Sequence, residues 1–148
     1  MRILHVVPTY FPAVRYGGPI HSVHGLCNAL ATVGHDVHVF TTSVNGPGNL
    51  DVPTGEPVMV DAVKVSYFCS RQLRRLYWSP SMARAFKEQM SGFDVVHLHS
   101  IFLWPTSAAA RVAERVGALL AARADGHRLG VVEQREVRSE EHTSELQS

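Results

Sequence analysis

The chain has 148 residues, of which 45% are hydrophobic and 18% charged, and its formal net charge is +1. This suits one globular domain with a sizeable core and excludes a disordered or fibrous chain. A charge so near zero argues against a nucleic-acid partner, and two cysteines, Cys27 and Cys69, are too few for a disulfide framework, so a reducing, cytoplasmic setting is expected.

Ile3, Leu4, Val6 and Val7 form a short, near-continuous apolar run that suits a buried parallel strand, and Pro8 ends it. The run is too short for a signal peptide, and no window approaches the ~20 apolar residues of a membrane span. Any membrane contact is therefore expected to be peripheral, at the inner face. After a loop carrying Gly17 and Gly18, apolar residues recur at Ile20, Val23, Leu26, Cys27, Leu30 and Ala31. This stripe predicts an amphipathic helix opened by Pro19 and capped by Gly34, with Cys27 as a plain buried thiol. The glycines let backbone amides approach a ligand, and a helix N-terminus favours an anion.

Val37 to Thr41 reads as a second strand, so strand, helix and strand predict a right-handed parallel crossover. Residues 43–57, with three glycines and three prolines, read as a loop. Residues 58–68 alternate around Val60, Val63, Val65 and Tyr67, giving one or two strands broken near Asp61-Ala62. The segment RQLRRLYW at 71–78 reads either as a solvated amphipathic connection or as a surface that meets anionic lipid or a polar acceptor. Ser79-Pro80 opens a helix over 81–90 with Met82, Phe86 and Met90 on its core face.

In FDVVHLHS, from Phe93, the residues Val95, Val96 and Leu98 predict a central strand. His97 and His99 share one of its faces, because the side-chain period is two. His99 lies near the carboxyl end, the edge where open α/β sheets bind ligands. A loop and then a helix opened by Pro105 follow, with Ala109, Val112, Ala113 and Val116 on one side. Residues 118–124 read as an extension of that helix, and 125–137 match no strand pattern or continue out of frame. The tail 138–148, RSEEHTSELQS, resembles a translated sequencing adapter and is expected to be disordered. The dependable domain is thus 1–117.

RILHVVPTYFP, the YGGP of Tyr16 to Pro19, GHDVHVFTT and FDVVHLHSIF follow one another in the order found in retaining glycosyltransferases of family four, and the chain resembles their N-terminal half over roughly 1–117. The resemblance implies an α/β fold: a Rossmann-like parallel sheet with helices on both faces, as an incomplete single half of the two-domain GT-B architecture. It implies transfer of a hexose from a nucleotide sugar to a hydroxyl acceptor, with these two as partners and no cofactor beyond the sugar nucleotide. Gly17 and Gly18 would face the donor diphosphate, His99 would touch the transferred sugar, and Tyr16 and Ser100 are the acceptor-side candidates. His97 would support the strand. The family's second half, with its glutamate pair, is not in the sequence, so this chain is expected to be an inactive fragment on its own.

Two other enzyme or binding classes fit less well. A nicotinamide-dependent enzyme would want G-x-G-x-x-G directly after the first strand and an acidic residue ending the second. For a metal site, His97 and His99 share a face, as His21 and His24 share a helix side, but no cysteine or carboxylate cluster completes a spaced ligand set, so no metal is expected.

Overall fold

The computed structural model describes residues 1–100, 102–124 and 127–132. Its centre is a seven-stranded sheet of order β5-β6-β2-β1-β7-β8-β9. The strands are β1 (Arg2–Val6), β2 (Asp36–Thr42), β5 (Val58–Val60), β6 (Val63–Phe68), β7 (Val95–His99), β8 (Leu119–Ala124) and β9 (His127–Val132). The five inner strands run parallel, while β5 and β9 close the two edges antiparallel. The expected Rossmann-like α/β architecture is therefore present.

Three helices cover the sheet: α1 (Gly18–Thr32), α2 (Pro80–Gln89) and α3 (Trp104–Val116). Strand alternation divides the core between the two faces. Leu4, Val6, Phe40, Val96 and Leu98 pack with Phe86 of α2 and Ala109 of α3, whereas Val37, Val39, Val63 and Val65 pack with Val23 and Cys27 of α1. Burial pushes the Cys27 thiol up to about 12, as befits an inert core cysteine. The α1 face also receives the alternate residues of β1 and β7, which are His5, His97 and His99.

Local signals explain most boundaries. Ser79 caps α2, its hydroxyl accepting from the Met82 N–H at 3.4 Å, and Pro80 takes the first helical position, where its missing N–H costs nothing. Asp61, at φ 53°, turns β5 into β6 near the expected break. Residues 43–57 are not all loop, since β3 (Val44–Asn45) and β4 (Gly48–Asn49) form a small hairpin. Gly46 opens its two-residue turn at φ 60°, the positive angle that a tight hairpin favours.

Two expectations past α3 are corrected. The helix does not extend over 118–124, because Gly117 adopts φ 70°, a left-handed cap that ends α3 at Val116. Leu119–Ala124 instead pairs in parallel with β7, from Val95↔Leu119 to His99↔Arg123. Alanine-rich sequence favours a helix locally, yet an open edge of β7 offers a ladder of hydrogen bonds, and the tertiary context prevails. The segment after it is likewise not patternless, since β9 returns antiparallel to β8. The adapter-like tail, 138–148, lies outside the described residues.

Candidate functional site

The carboxyl ends of β1 and β7 and the start of α1 enclose a cavity of about 580 Å³. This is the edge on which parallel α/β sheets present their loops to ligands. Among the sequence candidates, Tyr16, His99 and Ser100 line it. Gly17 and Gly18 lie between two lining residues, Tyr16 and Pro19, but do not line it themselves. A Cβ on either would meet nothing within 4 Å, so both backbones are open to a ligand.

The glycine turn offers less than its sequence suggests. Gly17 sits at φ 72°, ψ −141°, a conformation suited to glycine, and its N–H already donates to the Val14 carbonyl at 3.1 Å. Ile20 N–H donates back to the Gly17 carbonyl at 3.3 Å, and Pro19 has no N–H to give. No side chain caps α1. Of its first three residues only Gly18 keeps an amide for an anion, assisted by the helix dipole.

His99 is built in from both strands. β1 and β7 pair with His5 opposite His97, and His99 follows two residues on, so three imidazoles share one face. His5 Nδ1 and His99 Nε2 are 2.9 Å apart, a hydrogen bond whose direction depends on tautomer. The His97 and His99 ring centroids lie 4.2 Å apart, and the His5 and His99 rings stack with 19° between their planes. All three are buried, at 0%, 9% and 5% exposure for His5, His97 and His99. Burial, and after it the neighbouring His97, pushes His5 down to about 3, so His5 is a neutral hydrogen-bond partner at ordinary pH rather than an acid.

The lining tyrosines, Tyr16 and Tyr77, are held by segments that do not line the cavity themselves. The hairpin β3–β4 donates Gly46 N–H to the Tyr16 hydroxyl at 2.7 Å. Arg74, in a 3-10 turn over Arg74–Leu76, donates to the Gly48 carbonyl and to Asn49 Oδ1, each at 2.6 Å. That turn delivers Tyr77 to the cavity wall, at φ 57°. Burial and a hydrogen bond with Tyr16 raise the Tyr77 phenol above its ordinary value. Ser100, which also lines the cavity, has a positive φ too, 74°. Among the described residues no carboxylate lines the cavity.

The sequence reading brings His99, Ser100 and Tyr16 to one place and overlooks His5, Tyr77 and the hairpin. His5 carries no local signal, because its partner is 94 residues away and becomes visible only when β1 is paired with β7. Tyr77 lies inside an amphipathic segment whose pattern does not single it out.

The sheet and its covering helices define a Rossmann-like α/β domain with a cavity at its carboxyl edge, walled by a buried histidine, two tyrosines and an uncapped helix N-terminus. The family model for Glycosyltransferase Family 4 matches residues 16–139, most of the chain, and the protein belongs to that family. The matched span includes β8 and β9. A comparison with curated proteins gives no match.

Proposed function

We propose that this domain forms the acceptor-side wall of a retaining glycosyltransferase that moves a hexose from a nucleotide sugar to a hydroxyl acceptor. The observation that carries the reading is the meeting of His99, Ser100 and Tyr16 around one cavity in a chain of this family. In it, His99 touches the transferred sugar, held in place by its 2.9 Å contact with neutral His5. Negative charge grows on the leaving diphosphate, and the Gly18 amide with the α1 dipole offsets it from beside Gly17. Tyr16, with Tyr77 beside it, and Ser100 face the acceptor.

The reading calls for no cofactor besides the sugar nucleotide. It includes no turnover by these 148 residues alone, since transfer needs donor and acceptor held together and charge stabilised from both sides. Among the described residues no helix is long and apolar enough to cross a membrane. Leu73 and Leu76, exposed beside Arg71 and Arg75, support a peripheral contact at the cytoplasmic face of an anionic membrane.

The test is amide and imidazole NMR of the chain titrated with a panel of nucleoside-diphosphate sugars. Shifts confined to Gly18, His99 and Ser100, lost in His99→Ala, are expected. Shifts elsewhere, or none with any donor or sugar, would overturn the assignment.

A further inference from the structure

We propose that His5, His97 and His99 form a three-imidazole site for a borderline divalent cation of the zinc class. One ligand nitrogen from each lies within 4.8 Å of the other two. The donors stand on two hydrogen-bonded strands in fixed register, His5 opposite His97, so the backbone holds them together before any ion arrives. Nitrogens around one tetrahedral zinc, each ~2.05 Å from it, are about 3.3 Å apart. The 2.9 Å between His5 Nδ1 and His99 Nε2 needs a few tenths of an ångström of ring rotation to match. The cation takes the place of the proton shared on that line.

His5 is fully buried, and its Nδ1, the nitrogen that faces His99 Nε2, is the atom the ion takes. Imidazole is also the nitrogen ligand that zinc, copper and nickel favour.

The surroundings choose the cation class. His99 lines the cavity, which supplies an entry path and an open fourth position. No carboxylate lines that cavity among the described residues, so magnesium and calcium, which want oxygen ligands, are disfavoured. Three neutral ligands leave the full charge of the ion uncompensated, so the fourth position attracts water or an anion. The inference goes beyond sugar transfer and is read with no sugar present.

The experiment is calorimetric titration of the chain with zinc, and with cobalt followed by visible absorption. One equivalent with the intense bands of a tetrahedral cobalt site is expected, displaced by zinc. His97→Gln should weaken it by more than about 100-fold, beyond what loss of an outer hydrogen bond costs, while His21→Ala, at an exposed helical position, leaves it unchanged. Because a variant of a buried residue can fail to fold, the unmodified chain is also loaded with cadmium and its isotope-labelled histidine nitrogens examined by NMR. Metal coupling to His5, His97 and His99 is the supporting result. No saturable binding, binding that survives in folded His97→Gln, or coupling only to other histidines overturns the proposal.

Discussion

The two ends of the central sheet are built on opposite rules. At the amino ends of the strands, charge is paired in the open: Asp36 at the start of β2 accepts from Lys64 at 2.9 Å, His38 at 3.1 Å and Arg2 at 3.3 Å. Arg2 also donates its backbone N–H to Asp94 at 2.7 Å and its guanidinium to the Gly92 carbonyl at 2.9 Å, tying β1 to β7. At the carboxyl ends, three imidazoles are buried together, and Gly17, Tyr77 and Ser100 all hold positive φ around one cavity. Strained backbone persists only where surrounding structure enforces it, and it gathers at binding sites. The amino end is tied by paired charge; the carboxyl end leaves a cavity lined by two non-glycine residues, Tyr77 and Ser100, at positive φ.

The largest break in that contrast is expected from Gly17→Val. A β-branched residue at φ 72°, ψ −141° is forced into a region essentially reserved for glycine, although no neighbour blocks its side chain. A loss of about 2 kcal/mol in urea denaturation is expected, with displacement of Tyr16 from Gly46. An unchanged midpoint would mean that the turn relaxes freely and is not under tension.

Ser100→Gly probes the same cavity with the opposite sign. Removing the Cβ at φ 74° relieves strain, set against the larger backbone entropy of glycine in the unfolded chain, so a net gain of up to about 1 kcal/mol is expected. Weaker sugar-nucleotide binding should accompany it if the strain positions the wall. A net loss of stability would show that the Ser100 conformation is comfortable.

How far these features could be read in the sequence follows from how local their causes are. β1, α1, β2, α2, β7 and α3 announce themselves through apolar periodicity and through Pro19, Pro80 and Pro105 at helix starts. β8 does not, since its alanines favour a helix and only the edge of β7 makes it a strand. Along the cavity, the places of His99 and Ser100 can be read from the sequence because they stand at the end of an obvious buried strand. That of His5 cannot, because an apolar run with one histidine looks like any buried strand until β7 is laid beside it. At the Gly17-Gly18 pair, what the sequence hides is that Gly17 spends its amide on Val14, a property of the preceding 3-10 turn at Val14–Tyr16.

The smallest effect is expected at the amino end, from Asp36. Lys64 first, then His38, hold its carboxyl down at about 2, below its ordinary value of 3.8. A depressed carboxylate stabilises the fold while it is ionised, so its contribution is fully present above pH ~4 and fades as pH falls toward ~2. Asp36 is only half-buried, and water and salt screen the pairs, so the contribution is held to about 0.5–1 kcal/mol. Asp36→Asn should therefore lower the melting temperature slightly at neutral pH, and the difference from the unmodified chain should vanish near pH 2 and shrink in high salt. His38 carries the opposite bias: burial lowers its pKa more than Asp36 raises it. With Asp36 neutralised, His38 should titrate lower still, so its imidazole proton signals report the loss of the pair even where the melting shift is too small to read.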